Sequence, residues 1–366
     1  MSTSPLLQRP TQGEASQSKP GFGLSIRRFP VSIFVTALSC YVLFWVVVFT
    51  AAVTLPGLDD PMCLGLLRDK HRILEAPRTP KIVFIGGSNL LFGLDGGMVE
   101  RELHRPVAIM GLCLMLPIQY LFEEVKDSVN PGDLIVLAPE YANLSSEYSA
   151  PAAVNNVLDI YPQAFWWIVR SGCVSLDQMP TFIGHLRALG LQKLDYASRH
   201  LAQIAQHRCR WTHGKMYPGL EVINPENMDR YGGLTWHLRQ KNDGNPSTYT
   251  FRTANHIGDA EAKSINSFDA FCKSRGAKFV IIPVPTYEGH YKKERPKVEN
   301  LLKESAEKLT AKWVAEPARY VFPKRMIFNE QYHLNKTGRP VRTQMVIDDL
   351  RPVLKQIDDN MTHLRQ

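Results

Sequence analysis

The chain of 366 residues is short of cysteine and has no Cys-x-x-Cys pair; its six cysteines stand at 40, 63, 113, 173, 209 and 272. So sparse a set excludes a disulfide-built scaffold, and the missing pairs argue against a zinc ribbon. No Gly-Lys-Ser/Thr is present, which excludes a Walker-type phosphate loop, and no glycine run has dinucleotide-binding spacing. Only 21% of the residues are charged, against 44% hydrophobic. That balance excludes global disorder, collagen and coiled coil, and leaves one or two folded domains. There is no internal repeat. The net charge is +8, of which +3 lies in the first 28 residues, where Arg9, Lys19, Arg27 and Arg28 stand against Glu14. The remaining +5 is ordinary for a chain of this size.

One long hydrophobic run is present, and no second follows it. Val31 to Leu55 is 25 residues without a charge. A bilayer core of about 30 Å needs roughly 20 apolar residues in a helix. A cleaved signal peptide has a shorter apolar stretch ending in a small-residue cleavage site. The exit here, Thr54-Leu55-Pro56-Gly57-Leu58-Asp59-Asp60-Pro61, is a poor one, so a retained single-pass anchor is expected. Arg27 and Arg28 precede the run and Asp59 and Asp60 follow it. The positive-inside rule then places the tail in the cytoplasm and the body outside the inner membrane. Neither nucleic acid nor ATP is normally available there, so neither is expected as a partner. Residues 1–30 read as a disordered cytoplasmic tail, 31–55 as the transmembrane helix and 56–80 as a linker.

The body reads as an α/β domain with an interruption. Short apolar runs lie at Lys81–Gly86, Pro106–Met110, Leu134–Ala138 and Lys278–Val284, with a weaker one within Arg319–Phe328. Such continuous runs suit strands buried on both faces of a parallel sheet. Helical patterns fall between them, at Met98–His104, at Ile118, Leu121, Phe122, Val125 and Val129, and at Ile265, Phe268 and Cys272 before Gly276. Alternating strands and helices predict a doubly wound parallel sheet, in two parts at 81–145 and 258–366. Residues 146–257 lack a strong strand run and read as a mainly helical or irregular insertion.

Two short stretches carry chemistry. In Ile85-Gly86-Gly87-Ser88-Asn89 a serine follows a glycine pair at the carboxyl end of the first strand, where open α/β sheets collect ligands. Alone, this equally fits an ordinary strand-to-helix turn capped by serine. In Phe328-Asn329-Glu330-Gln331-Tyr332-His333-Leu334-Asn335, His333 stands beyond the last strand, with Glu330 three residues before it. A serine hydroxyl needs a base to take its proton, and a histidine base needs a partner to fix its tautomer. Alone, His333 fits a surface histidine before a helix. The two stretches together favour the catalytic reading, because each delivers its group to the same edge of one sheet.

Together these blocks resemble the SGNH/GDSL hydrolase superfamily: IGGSN with Ser88, MGLCL with Gly111, PEYAN with Asn143 and ExxHLNxxG with Glu330 and His333. More narrowly, they resemble its membrane-anchored members of cell-envelope polysaccharide O-acylation, of the alginate O-acetylation and teichoic-acid D-alanyl transfer types. The resemblance covers about 81–145 and 258–357. It implies an SGNH-like, flavodoxin-like sheet, with Ser88 as nucleophile and His333 as base. Glu330 takes the place of the usual Asp, and Asn329 is the alternative orienting residue. Backbone N–H groups of Ser88 and Gly111, with Asn143, would form the oxyanion hole. The implied activity is ester hydrolysis or acyl transfer, O-acetyl in the first instance, on a cell-envelope polysaccharide or other acylated carbohydrate. A membrane acyl-donor protein is the implied partner, and no cofactor or metal is implied. The alternative is a non-catalytic polysaccharide-binding or assembly subunit on the same fold, favoured by Asn329 and by the lack of a Gly-x-Asn-Asp block.

Other features weigh less. His200, His207, Cys209 and His213 match no standard metal spacing. Phe165-Trp166-Trp167-Ile168-Val169 reads as core, with a sugar-stacking or membrane-resting surface as the alternative. Lys292, Lys293, Arg295 and Lys297 read as a solvated face.

Overall fold

The computed structural model describes residues 28–55, 63–76, 80–112, 116–145, 151–205, 225–240 and 253–363. They fall into two compact units, one ending at Val47 and one beginning at Val48. The first holds most of helix α1 (Arg28–Thr54). Val31–Thr54 has a mean hydropathy of 2.4, and side chains such as Phe34 and Leu43 stay exposed. By length and composition this helix can cross a membrane.

The second unit runs α2 (Leu67–Glu75), β1 (Ile82–Gly86), α3 (Ser88–Gly93), α4 (Gly96–Leu103), β2 (Val107–Gly111), α5 (Ile118–Lys126) and β3 (Leu134–Ala138). It continues through α6 (Pro151–Ile160), α7 (Ala164–Ser171), α8 (Met179–Ala205), α9 (Asp259–Ser274) and β4 (Lys278–Ile281). It closes with β5 (Thr286–Tyr287), α10 (Glu288–Lys308), β6 (Val321–Phe322) and α11 (Gly338–His363). Four strands form one parallel sheet in the order β2-β1-β3-β4. Alternate residues of each strand point to opposite faces. Val83, Ile85, Ile135, Leu137, Phe279 and Ile281 pack with Phe122 and Val125 of α5 and Ile265 and Phe268 of α9. Ile82, Phe84, Leu134, Val136 and Val280 pack with Val99 of α4 and Val346, Ile347 and Leu350 of α11. Both faces are therefore buried under helices, which explains why the strands read as unbroken apolar runs.

The run within Arg319–Phe328 does not add a fifth strand to this sheet. It contributes only Val321–Phe322, which pairs with Thr286–Tyr287 in a separate two-stranded sheet. Prolines explain the difference. Pro317 and Pro323 bracket the segment, and Pro283 and Pro285 follow β4, which stops at Ile281 rather than Val284. A proline has no N–H to give to a ladder.

Within 146–257 the described residues form α6, α7, α8 and short 3₁₀ turns. The end of this segment covers the free edge of β2: the Ile109 N–H donates to the Tyr231 carbonyl at 2.7 Å, and buried Lys70 donates to the carbonyls of Ile109 and Gly232. In α7, Ala164 and Ile168 are buried, Trp167 stacks on His71 with ring centroids 4.7 Å apart, and Trp166 is exposed. Lys193 of α8, fully buried, donates to the carbonyls of Ala52 and Leu55 at 2.8 and 3.2 Å, which satisfies the last carbonyls of α1. Lys292, Lys293 and Arg295 are exposed on α10. His207, Cys209 and His213 lie outside the described residues, as does the side chain of His200.

The turn into β3 is fixed by a buried ion pair. Asp133 accepts the Lys81 ammonium at 2.8 Å, the Lys81 N–H at 2.8 Å and the Asn130 N–H at 2.9 Å. Removing one partner leaves the other charge buried and unmatched. Asp133→Ala is expected to lower the unfolding free energy by about 3–5 kcal/mol, read from the denaturant midpoint.

Candidate active site

The register of β1 and β3 builds the centre of the site. Gly86 pairs with Ala138, and Ser88 and Glu140 each stand two residues further on. The two side chains therefore emerge next to each other at the carboxyl edge of adjacent strands. Gly87 makes the approach possible, since a Cβ there would lie 2.4 Å from Glu140 Oε1. Ser88 opens α3 and is half-buried, while Asn89 and Glu140 are 0% and 1% exposed.

His333 arrives from the other end of the chain. An antiparallel bridge between Ile327 and Leu334 closes a tight loop, and the Phe328 N–H donates to the His333 carbonyl at 2.8 Å. Asn335 anchors the exit. Its Oδ1 accepts the N–H groups of Thr337 and Gly338, at 2.9 and 3.1 Å, and so caps α11. The His333 ring stacks on Phe92 of α3, with centroids 4.1 Å apart and planes 19° off parallel. This stacking fixes the ring plane, and the His333 Nε2 to Ser88 Oγ distance is 2.7 Å.

The opposite ring nitrogen, Nδ1, meets Asn329 Oδ1 at 2.8 Å. An amide oxygen accepts, so Nδ1 carries the proton and Nε2 presents its lone pair to the serine hydroxyl. Burial holds the His333 imidazole down at about 3, with His237 adding to the effect. The ring is thus neutral at neutral pH and able to accept.

Glu330 does not sit where a tautomer-fixing carboxylate would. Its Oε2 lies 3.7 Å from Nε2, on the nitrogen that faces Ser88. The loop explains this: Glu330 is three residues before His333, and the His333 N–H donates to its carbonyl at 3.2 Å, while Asn329, four residues before, reaches Nδ1. Burial raises the Glu330 carboxyl above its usual range. Gly111 ends β2 directly under the turn that carries Ser88. A Cβ there would lie 2.6 Å from Leu90 Cβ and 2.9 Å from the Gly87 carbonyl oxygen, so the glycine lets α3 pack on the strand. Asn143 sits in the 3₁₀ turn after β3 and donates its amide to the Leu116 carbonyl at 3.4 Å.

Sequence reasoning passed over three residues. Glu140 Oε1 lies 3.3 Å from Ser88 Oγ and receives the Asn89 N–H at 3.2 Å and the Asn89 amide at 3.4 Å. Asn89 also donates to the Ala138 carbonyl at 3.1 Å. On its other side it receives Arg342 of α11, which donates to the Asn89 backbone oxygen at 2.6 Å and to Oδ1 at 2.9 Å. Arg342 is fully buried, and burial lowers its guanidinium to about 10. Asn89 thus couples a buried cation to a buried carboxyl beneath Ser88. The signal for Glu140 was in the sequence: Pro139-Glu140 follows β3 as Gly87-Ser88 follows β1.

Among the described residues no group of three or more His, Cys, Asp or Glu side chains is placed to hold a metal. No protein-family model, curated protein or solved structure matches the chain.

Burial pushes the Glu140 carboxyl from 4.5 up to about 7; hydrogen bonds from Asn89 and Ser88 oppose the shift, and Glu330 adds to it. The folded state therefore holds this proton more tightly than the unfolded chain does. The stability gained is present in full below about pH 4.5 and is lost as pH rises through about 7. Glu140→Gln removes the charging step. Its unfolding free energy relative to wild type is expected to rise by on the order of 3 kcal/mol from about pH 5 to about pH 8, read from denaturant midpoints.

Proposed function

We propose that this chain is a membrane-anchored serine ester hydrolase or O-acyltransferase of the SGNH/GDSL type, acting on an acylated carbohydrate of the cell envelope. The observation that carries the reading is the 2.7 Å contact between Ser88 Oγ and His333 Nε2. The order of the main sheet and the serine at the carboxyl end of β1 support it. The apolar helix before the body supports an anchor, and Arg27 and Arg28 ahead of it support a body on the extracytoplasmic, periplasmic side. Such a body would meet polysaccharide hydroxyls and membrane-delivered acyl groups.

In this reading Ser88 Oγ attacks the ester carbonyl while Nε2 of His333 takes the serine proton. Asn329 holds the ring so that Nε2 is the free base. The alkoxide of the first product leaves with that proton. Water or a sugar hydroxyl then attacks the acyl-Ser88 ester with His333 as base, giving hydrolysis or transfer.

A second reading is a polysaccharide-binding or assembly subunit. It is favoured by the neutral amide at Nδ1, where a carboxylate would stabilise the imidazolium without crowding the nitrogen that faces Ser88. Release of acetate from an acetylated polysaccharide separates the two. Ser88→Ala and His333→Ala are each expected to lower release by at least about 10³-fold in folded protein. Polysaccharide binding without acetate release, unchanged in Ser88→Ala, would favour the binding subunit. Asn329→Asp places a carboxylate on Nδ1 and is expected to raise kcat at neutral pH by about tenfold or more, read in the same assay.

A further inference from the structure

We infer that Glu140, as a neutral carboxylic acid, is a further catalytic residue: it donates a hydrogen bond to the oxyanion that forms when Ser88 Oγ adds to an ester carbonyl. This rests on the nucleophile reading of Ser88. The geometry is direct, because Glu140 Oε1 lies 3.3 Å from Ser88 Oγ, the atom that forms the new bond. The same oxygen collects the Asn89 N–H and the Asn89 amide. The N–H of the residue after a nucleophilic serine is a common oxyanion donor. Here a side-chain carboxyl, 1% exposed, already accepts that N–H and stands beside the atom that attacks.

The charge state decides what that carboxyl does. An ionised Glu140 would repel the oxyanion across a few ångströms of water-poor protein. A neutral acid keeps one oxygen as acceptor for Asn89 and offers the proton of the other to the substrate, while the Ser88 proton stays on the His333 side. The step then balances with Glu140 unchanged. The Ser88 Oγ–carbon bond forms, the carbonyl π pair moves on to oxygen, and the serine proton passes to His333 Nε2. On collapse the C=O bond returns, the bond to the leaving alkoxy oxygen breaks, and His333 gives that oxygen its proton.

Burial and Glu330 favour the neutral form of Glu140, and they outweigh the hydrogen bonds from Asn89 and Ser88 and the attraction of Arg342. Glu330, from the His333 loop, opposes a second negative charge, and the Tyr332 hydroxyl lies within its field. Among the described residues, the polar groups on the Glu140 carboxyl are the Asn89 N–H and amide and the Ser88 oxygen, all of α3. The Arg342 guanidinium of α11 hydrogen-bonds Asn89, and its charge also acts on Glu140 directly, in favour of the ionised form. Burial dominates and raises the carboxyl to about 7. His333, held near 3, titrates well outside that window.

The test is the pH dependence of 4-nitrophenyl acetate hydrolysis by the full chain in detergent. Wild type, Ser88→Ala, Glu140→Gln, Glu140→Ala and Glu330→Gln are compared, with folding checked by circular dichroism. Wild-type kcat is expected to fall as pH rises through about 7. Glu140→Gln keeps an N–H donor at every pH, so it should retain kcat within about tenfold and lose that fall, while Glu140→Ala should lose about 10²–10³-fold. The infrared carbonyl band of a protonated carboxyl should be present below that pH and absent in Glu140→Gln. Glu140→Ala with wild-type kcat, or Glu140→Gln as inactive as Glu140→Ala, overturns the inference while leaving a Ser88-dependent activity intact. So does a fall above pH 7 that disappears in Glu330→Gln instead. Hydrolysis that is undiminished in Ser88→Ala, or absent in wild type, overturns the nucleophile reading and this inference with it.

Discussion

The site depends on one hydrogen bond, between Ser88 Oγ and His333 Nε2, which joins residues 245 apart in sequence. Neither group reaches the other through its own secondary element. Ser88 is set by β1, a strand buried on both faces, and by the glycine pair that turns the chain into α3. His333 is set by a bridged loop, the Asn335 cap and the face of Phe92. Because Phe92 belongs to α3, the helix that begins at Ser88 also carries the surface on which the histidine rests. One turn and a half of helix therefore fixes both ends of the contact.

Around that pair, burial does most of the electrostatic work. It keeps the His333 ring neutral and raises both nearby carboxyls, Glu140 and Glu330. The partner on Nδ1 is an amide, so tautomer control is present without a negative charge on that nitrogen. The buried cation of Arg342 hydrogen-bonds Asn89, whose amide also reaches the Glu140 carboxyl, and its charge is felt at Glu140 as well.

Much of the framework was legible in the chain itself. The four runs that form the sheet stand out because both faces are covered, so no polar alternation interrupts them. Ser88 was legible because it follows the first strand signal at an element boundary, and His333 because it stands with Glu330 just before a terminal helical pattern. The weak run at Arg319–Phe328 misled, because apolar content was weighed above the flanking prolines. The partner of Nδ1 was not legible, since choosing between Asn329 and Glu330 requires the path of a tight loop. Glu140 was overlooked because its neighbour Ser88 is 52 residues away, and only the register of β1 on β3 brings them together. Asn89 and Arg342 were hidden likewise, their pairing spanning 253 residues.

The most direct measurement of the central claim is covalent. Incubating the intact, folded protein with a fluorophosphonate and mapping the adduct by peptide mass spectrometry asks whether the Ser88 hydroxyl is activated by its neighbour. The account predicts a single adduct on the peptide carrying Ser88, formed at a rate that collapses in His333→Ala. An unmodified Ser88 in folded wild-type protein, or labelling that proceeds unchanged without the imidazole, would contradict it.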